Sequence, residues 1–270
     1  MPIEKRTNIL RESMHLRSLH LRRTVQVDIY LPDGIPDMQD VSLLLINDGQ
    51  DLGQLGLAAL LDDLYSRGAI APLLCAGIYA GADRKMEYGT TRQFDYRGWG
   101  SRAEAYTRFV FEEVIPAIRR RYRVSEFREK AFAGFSLGAL SAMDIIWNHP
   151  REFFCAGLFS GSFWWRKKDK NDPTFDENND RIMHGEVRDG GYYPWLKFFF
   201  ECGTEDEMED RNRNGVIDSI DDTKDLIREL EMKGYEAGRN IRYLEIEGGR
   251  HDVATWARAM PEFLLWGWGK

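Results

Sequence analysis

A serine with glycines two positions before and after it stands out as a possible nucleophile. The motif runs from Gly134 through Ser136 to Gly138, between the apolar stretch KAFAGF and the helical pattern LGALSAMDIIW. A hydroxyl attacks carbonyls poorly unless a base removes its proton and its oxygen is exposed. A sharp strand-to-helix turn exposes that oxygen and has room only for small residues two positions away. The spacing therefore predicts that Ser136 is a nucleophile. The alternative is that the glycines are ordinary loop residues.

A nucleophilic serine needs a histidine as base and a carboxylate that orients the histidine. On a strand-to-helix turn of this kind the expected order along the chain is serine, carboxylate, histidine. Of the five histidines, His251 follows the last predicted strand, where a loop can reach back to the serine. The preceding predicted strand, LKFFFECG, leads into Glu205, Asp206 and Glu207. We predict that Asp206 is the acid, with Glu205 as the alternative; either could instead be a solvated loop charge.

The elements that must position these residues alternate between short apolar runs and helical patterns. Strands are predicted at VQVDIYLP, VSLLLINDG, LLCAGIYAG, KAFAGF, FCAGLFSGS, LKFFFECG and IRYLEIEGG. Helical patterns include AYTRFVFEEVIPAIRRRYRV and the closing ATWARAMPEFLLWGW. This order predicts an α/β fold with a mostly parallel twisted sheet and helices on both faces. We predict a single domain over residues 1–270, with a polar insertion at about 166–191 that is either a lid or a plain surface loop.

Composition narrows the class of protein and its partners. Hydrophobic residues make up 43% of the 270 residues and charged residues 30%, as is typical of globular proteins. The formal net charge of -7 disfavours nucleic acid as a partner. Three widely spaced cysteines in apolar runs favour buried thiols over disulfides or a zinc site. The start of the chain lacks the apolar core of a signal peptide, and no run approaches the roughly 20 apolar residues of a membrane span. We therefore expect a cytoplasmic protein that does not bind membranes.

In their order along the chain, the motifs resemble an esterase family of the α/β-hydrolases. This family includes enterochelin esterases, xylanase-linked feruloyl esterases, S-formylglutathione hydrolases and mycolyl transferases. The resemblance runs from about Val25 to the C-terminus and rests on LLLINDGQD, GADRKMEYG, FVFEEVIPAIRRRY, GFSLGALSA, FSGSFWW, CGTEDE and GGRHD. FSGSFWW is very similar to the enterochelin esterases. CGTEDE resembles the acid loop of the feruloyl esterases, whose aspartate falls at Asp206, and GGRHD resembles the histidine loop with an arginine inserted before His251.

The resemblance also implies which groups surround the nucleophile. The oxyanion hole would consist of the backbone N–H groups of Leu137 and Gln50, one after the nucleophile and one from an early loop. Two residues are implied at the mouth of the site and two as an apolar wall, with ordinary packing as the alternative for all four. These residues are Arg84 and Tyr88 at the mouth, and Trp164 and Trp165 in the wall.

Together these residues predict a serine esterase that works through an acyl-enzyme intermediate. Ser136 would attack the ester, His251 would move the proton, and water would release the acyl group. The similarity to enterochelin esterases implies a siderophore-type ester, and the similarity to feruloyl esterases implies an aromatic acyl ester. An acyltransferase on the same triad is a second hypothesis, and a calcium-stabilised binding module without turnover is a third. The oligomeric state is left open.

The stretch DRNRNGVIDSID has the D-x-[DN]-x-[DN]-G spacing of an EF-hand calcium loop. Calcium prefers about six to eight oxygen ligands. The candidate ligands are Asp210, Asn212, Asn214, Val216 through its carbonyl, Asp218 and Asp221. Position 12 is aspartate rather than glutamate, and the alternative is an Asn-Gly turn with aspartates that cap a helix. We predict a structural calcium that fixes the loop of Asp206, and no organic cofactor.

Overall fold

The structure is a computed structural model that describes residues 9–35 and 37–270. In this part of the chain eight strands form one sheet. They are β1 (Ile9–Arg17), β2 (Thr24–Pro32), β3 (Ser42–Asn47), β4 (Leu73–Ile78), β5 (Lys130–Phe135), β6 (Cys155–Phe159), β7 (Lys197–Glu205) and β8 (Ile241–Arg250).

The described helices connect these strands. They are α1 (Leu52–Leu55), α2 (Leu57–Ser66), α3 (Arg84–Glu87), α4 (Ala103–Phe109), α5 (Ile115–Tyr122), α6 (Leu137–Asn148), α7 (Glu177–Asp180), α8 (Ile182–Asp189), α9 (Asp218–Lys233) and α10 (Val253–Trp268). A π-helical turn joins α4 to α5, where Pro116 lacks the N–H that a regular helix would use. None of these helices is both long enough and apolar enough to cross a membrane.

The strands lie in the order β1-β2-β4-β3-β5-β6-β7-β8. β2 pairs in an antiparallel manner with both β1 and β4, and all further pairs are parallel. One apolar cluster packs on one face around α4 to α6 and α8, and another packs on the opposite face around α2 and α10. This is the α/β-hydrolase arrangement, so the predicted fold class is confirmed. The three cysteines are buried and unpaired, as predicted.

Two segments differ from the simplest interpretation of the sequence. The sequence pattern does not predict β1, because this edge strand buries only its first residue and is otherwise polar or half-exposed. The segment at 166–191 does lie between β6 and β7, but its second half forms α8, which is buried through Ile182, Met183 and Val187. That half belongs to the core and not to a surface loop, and the lid function stays a prediction.

The sheet brings the candidate site residues to one edge. In parallel strands the carboxyl ends meet at the same edge, and α/β proteins bind ligands there. Ser136 follows β5 directly, Ser160 follows β6, Asp206 follows β7 and His251 follows β8. Residues more than 100 positions apart in the sequence therefore lie around one site.

Candidate active site

Ser136 lies on the sharp turn between β5 and α6 that the glycine spacing predicts. Its backbone angles, φ 56° and ψ -122°, are rarely adopted by residues other than glycine. The Ser136 N–H donates to the carbonyl of Phe159 at 2.9 Å, which holds the turn against β6. A Cβ on Gly134 would lie 2.3 Å from the carbonyl carbon and oxygen of Gly138. Both glycines are therefore required by the close approach of the backbone on either side of the serine.

A buried ion pair supports the other side of this turn. Asp48 follows β3 and is 2% exposed, and a Cβ on Gly138 would lie 2.6 Å from its Oδ2. Arg84 binds this carboxylate with two hydrogen bonds, from Nε to Oδ1 and from Nη2 to Oδ2, each 2.7 Å long. The same Nη2 donates to the carbonyl of Phe135 at 3.3 Å. The guanidinium is therefore held in one position beside the nucleophile.

A cavity of about 430 Å³ opens over the turn. Seven of the residues that the sequence singles out line this cavity. They are Arg84, Ser136, Leu137, Trp164, Asp206, Glu207 and His251. The structure thus brings a hydroxyl, a carboxylate and an imidazole together, which is the donor set of a nucleophilic triad. Of the five histidines, all of which are described, His251 is the one that lines it.

His251 is the first residue after β8, and its ring packs edge-on against Trp256 with 5.5 Å between the ring centroids. The side chain lies at the surface, but its partial burial still lowers the pKa of the imidazole. The carboxylate of Asp206 raises this pKa and the charge of Arg84 lowers it, with a net shift below the ordinary value. The ring is therefore neutral at neutral pH, the form in which it can accept a proton.

Asp206 and Glu205 point in different directions. Glu205 is exposed, and its Oε2 accepts a hydrogen bond from Arg250 Nε at 3.1 Å. Asp206 folds back over Gly203, where a Cβ would lie 2.8 Å from its Oδ1, and it lines the cavity. Burial raises the pKa of Asp206, and the nearby Ser160 hydroxyl and the charge of His251 reduce the rise. Of the two candidates for the acid, Asp206 is therefore the one that faces the histidine's side of the site.

The predicted mouth residues Arg84 and Tyr88 have different environments. Arg84 lines the cavity, as predicted from the resemblance. Tyr88 is fully buried, its hydroxyl accepts a hydrogen bond from the Asp48 N–H at 3.3 Å, and its ring lies under the Arg84 guanidinium. The prediction is wrong for Tyr88 because the ring supports the ion pair from below and is closed off from the cavity.

The predicted tryptophan wall is wrong at one of its two positions. Trp165 is fully buried, and its Nε1 donates to Thr90 Oγ1 at 3.0 Å. Adjacent side chains on this turn face opposite sides, so only Trp164 reaches the cavity. The second aromatic of the wall is Trp99, whose ring meets that of Trp164 edge-on at 6.5 Å between centroids. The cavity wall is therefore aromatic but formed by a different pair.

The two predicted oxyanion donors belong to neighbouring strand ends. Leu137 is the first residue of α6. Gln50 lies in a single 3-10 turn, Gly49–Asp51, directly after β3, which pairs with β5. The Gln50 side chain points away to accept a hydrogen bond from the Ala80 N–H at 3.1 Å. The oxyanion role of both N–H groups stays a prediction.

The loop predicted to bind calcium lies between β7 and α9. The carboxylate of Asp210 accepts hydrogen bonds from the N–H groups of Asn214 at 3.1 Å and Gly215 at 2.9 Å. The side-chain amides of Asn212 and Asn214 both reach Asp221 Oδ2, at 2.8 and 2.9 Å. Four of the six predicted ligands therefore lie close together. Calcium binds oxygen, so both amides would have to turn to present it.

The remaining two predicted ligands are arranged differently. Asp218 begins α9 and accepts a hydrogen bond from the Arg211 N–H at 2.7 Å, with the Arg211 guanidinium at 3.4 Å. The N–H of Val216 donates to Asn214 Oδ1 at 2.8 Å. Across residues 9–35 and 37–270, no group of three or more histidine, cysteine or acidic side chains is arranged to hold a metal. A calcium site here would depend on the asparagine and carbonyl oxygens.

Sequence patterns do not reveal a buried polar group behind the acid. Glu201 in β7 is fully buried, and its Oε2 lies 3.5 Å from Ser160 Oγ. Ser160 Oγ in turn accepts a hydrogen bond from Trp256 Nε1 at 2.9 Å. A single charged residue inside the apolar run FFFEC is the signal that could have pointed to Glu201. Its partner, Ser160, is identified only once the strands pair.

The strand order and the placement of the helices define the α/β-hydrolase fold. The chain belongs to the family described as "Putative esterase", whose model matches residues 18–266. This confirms the resemblance inferred from the motifs.

Individual relatives are distant. An endo-1,4-beta-xylanase/feruloyl esterase from Xylanibacter ruminicola is 24% identical over 212 residues, which are 78% of this chain and 23% of that protein. The enterobactin esterase FES from Shigella flexneri has a similar structure, with a TM-score of 0.73 and 19% identity over 95% of this chain and 58% of that chain. A ferulic acid esterase gives a TM-score of 0.66 and 18% identity over 96% of this chain and 97% of that one. The chain thus spans less than a quarter of the first relative and a little over half of the second.

Proposed function

We propose that the protein is a serine carboxylic-ester hydrolase that uses Ser136, Asp206 and His251 and forms an acyl-enzyme intermediate. The observation that carries the proposal is that these three side chains line one cavity of about 430 Å³, with the serine on a strained strand-to-helix turn. Such a turn exposes the hydroxyl to a bound ester. Membership of an esterase family supports the reaction class.

In the proposed mechanism His251 takes the proton of Ser136 as the hydroxyl oxygen attacks the ester carbonyl. Asp206 orients the imidazole and stabilises its charged form. The backbone N–H groups of Leu137 and Gln50 receive the developing oxyanion. His251 then protonates the leaving alcohol, and a water molecule activated by the same imidazole releases the acyl group.

The aromatic wall supports an aromatic acyl ester as the substrate class. Trp99 and Trp164 line the cavity, and aromatic rings pair favourably in edge-on or offset arrangements. The ammonium of Lys85 lies 4.5 Å from the centre of the Trp99 ring, within the range of a favourable cation–π contact. The similarity to proteins called feruloyl and ferulic acid esterases is consistent with this class.

A siderophore-type ester is the second candidate substrate. It is favoured by Lys85, a cation that lines the same cavity and suits an anionic ligand, and by the similarity to a protein called enterobactin esterase. A panel of hydroxycinnamoyl esters and catecholate trilactones, compared by kcat/KM, separates the two. A preference of less than about tenfold, or roughly 1.4 kcal/mol, would assign neither class.

We further propose that the loop from Asp210 to Asp221 binds a structural calcium ion. The supporting observation is that the side chains of Asp210, Asn212, Asn214 and Asp221 lie close together. Bound calcium would stiffen the segment that follows Asp206. The alternative is a calcium-free turn closed by the same hydrogen bonds.

The decisive experiment on the reaction is nitrophenyl acetate hydrolysis by the Ser136→Ala variant. We expect kcat to fall by a factor on the order of 10⁴ or more, because no nucleophile remains. The exposed Ser66 provides the matched control, Ser66→Ala, which should keep wild-type activity. A correctly folded Ser136→Ala variant with most of its activity would refute the triad. No hydrolysis by the wild type on any ester would favour the binding module, and faster turnover with added acceptor alcohols would favour the acyltransferase.

A further inference from the structure

Glu201 and Ser160 lie directly behind the proposed acid. β6 and β7 pair in parallel, and the Ser160 N–H donates to the backbone carbonyl of Glu201 at 2.8 Å. Ser160 has a positive φ of 44°, a strained conformation for a residue other than glycine. Ser160 Oγ and Glu201 Oε2 are 3.5 Å apart, and both side chains are buried. The position of this pair is therefore fixed by backbone geometry.

Too few hydrogen-bond donors surround Glu201 and Asp206 to stabilise both of them as charged carboxylates. Ser160 Oγ accepts the N–H of Trp256 at 2.9 Å, so its single hydrogen is available to one acceptor. Among the described residues no donor in good geometry reaches Glu201 Oε1 or either carboxylate oxygen of Asp206, all of which are buried. Two buried carboxylates that share so few donors are costly, and the charge of Arg258 offsets this cost for Glu201 only in part. We therefore expect one of the two carboxyl groups to hold a proton.

The surroundings decide which carboxyl group holds it. Glu201 is fully buried, and this burial, together with the charge of Asp206, raises the pKa of Glu201 to about 8. Asp206 is only partly buried, and the nearby Ser160 hydroxyl lowers the pKa of Asp206 against the effect of burial. At neutral pH the proton therefore stays on Glu201 and the negative charge on Asp206.

We propose that Glu201 is a positioning residue for the acid of the triad: it stays protonated and, with Ser160, supplies the hydrogen bonds that keep Asp206 ionised and turned toward His251. The inference rests on the proposed function, because it gives Glu201 a role only if Asp206 orients the catalytic histidine. The chemistry involves no covalent step. Glu201 acts as a neutral donor whose O–H points at Ser160 or Asp206.

Ionisation of Glu201 would remove this donor and place two like charges behind the histidine. We expect kcat to decline on the alkaline side with a midpoint near pH 8, the value to which the pKa of Glu201 is raised. Stability should follow the same group. A carboxyl group whose pKa is higher in the folded than in the unfolded state stabilises the folded protein. This stabilisation is fully present below the pKa of the group in the unfolded chain, and it is lost as the pH rises through the pKa in the folded protein.

The test compares Glu201→Leu, Glu201→Gln and a control variant in kcat measured from pH 6 to 10. Glu201→Leu removes the donor, and kcat at pH 7 should fall on the order of tenfold. Glu201→Gln retains a neutral donor, so it should recover most of that loss and lack the alkaline decline. The control is Glu245→Gln on the neighbouring strand β8, which makes the same side-chain substitution at an exposed position outside the cavity and should keep the wild-type profile.

A second measurement does not depend on catalysis. The melting temperature of the wild type should fall more steeply between pH 6 and 9 than that of Glu201→Gln, and this holds even if Ser136 proves not to be the nucleophile. An alkaline decline that persists in Glu201→Gln, or full activity of a folded Glu201→Leu variant at pH 7, would overturn the proposal. If Glu201→Leu does not fold, Ser160→Ala removes the shared hydroxyl and should reproduce its loss of kcat; unchanged kcat would again overturn the proposal.

Discussion

The turn that carries Ser136 and the loop that carries Asp206 leave the same edge of the sheet, yet they are held in different ways. The serine turn is fixed by backbone contacts, by the pair of glycines and by the ion pair between Asp48 and Arg84. The acid loop has no donor in good geometry to its carboxylate among the described residues, and the polar segment 207–217 that follows it contains no helix or strand. The nucleophile is thus positioned by packing, and the acid by a few polar neighbours.

Among the substitutions that compare the two regions, the largest loss of kcat is expected when the acid Asp206 is replaced. Asp206→Asn should lower kcat by a factor on the order of 10⁴, because an amide orients the wrong tautomer of the histidine. Glu205→Gln removes the neighbouring, exposed carboxylate and should cost less than about threefold, since an exposed ion pair contributes little. Steady-state kinetics of both variants on one ester show which of the two carboxylates is the acid of the triad. A larger loss for Glu205→Gln would make Glu205 the acid.

On the nucleophile side the corresponding change is Gly134→Ala. The new Cβ would lie 2.3 Å from the backbone of Gly138, and overpacking against backbone costs roughly 1–3 kcal/mol or more. We expect the melting temperature to fall by about 2–12 °C. Gly185→Ala in α8 is the matched control, because nothing lies within 4 Å of its new Cβ and alanine favours a helix. Equal melting temperatures for the two variants would show that the turn is less tightly packed than the distances indicate.

The two regions also differ in how far the sequence predicts them. The serine turn is predictable because its requirement is local: two glycines at fixed spacing between a strand and a helix. The acid loop depends on contacts that sequence spacing does not contain. Glu201 and Ser160 are 41 positions apart and meet only because β6 and β7 pair. A lone glutamate in an apolar strand is visible in the sequence, but the group that shares its hydrogen bond is not.

The errors at Tyr88 and Trp165 have the same origin. Both are aromatic residues beside the site in sequence, and both lie under it in space, where one hydrogen-bonds to Asp48 and the other to Thr90. Whether a side chain on a turn faces the cavity or the core depends on the layer beneath it. The strands and the two faces of the sheet were predictable because they depend on the periodicity of apolar residues. The exception is β1, an edge strand that buries little.

A pH profile tests how the base is linked to both regions. Burial and the charge of Arg84 on the serine side lower the pKa of His251, and Asp206 on the acid side raises it, with a net decrease. Protonated imidazole cannot accept the serine proton, so kcat/KM should fall as the pH drops through this pKa, at a midpoint below about 6.5. The rates should be measured on an ester whose leaving group does not titrate in this range. A midpoint above 6.5 would mean that Asp206 dominates over burial and Arg84.

The smallest effect on stability and activity is expected at the predicted calcium loop, which follows Asp206 in the chain. When the free calcium concentration is about ten times the Kd, binding stabilises the folded protein by roughly 1.4 kcal/mol. A chelator that removes this calcium should therefore lower the melting temperature by about 3–6 °C. Added calcium should restore it. Asp210→Ala should abolish the response, because it removes the first negative ligand. Asp33→Ala, an exposed aspartate outside the loop, should respond to the chelator as the wild type does.

Catalysis should respond to calcium only through the position of Asp206. Chelation should lower kcat by about twofold while KM changes little, because a looser acid loop affects the orientation of the imidazole more than substrate binding. The calcium-free turn predicts instead no response of the wild type to the chelator, since its hydrogen bonds among Asp210, Asn212, Asn214 and Asp221 need no ion. Identical melting curves with and without chelator, on protein first loaded with calcium and then shown to be metal-free, would establish that turn. Without calcium, the Glu201 variants should then change kcat more than Asp210→Ala does, because Glu201 and Ser160 lie beside the acid and the turn lies beyond it.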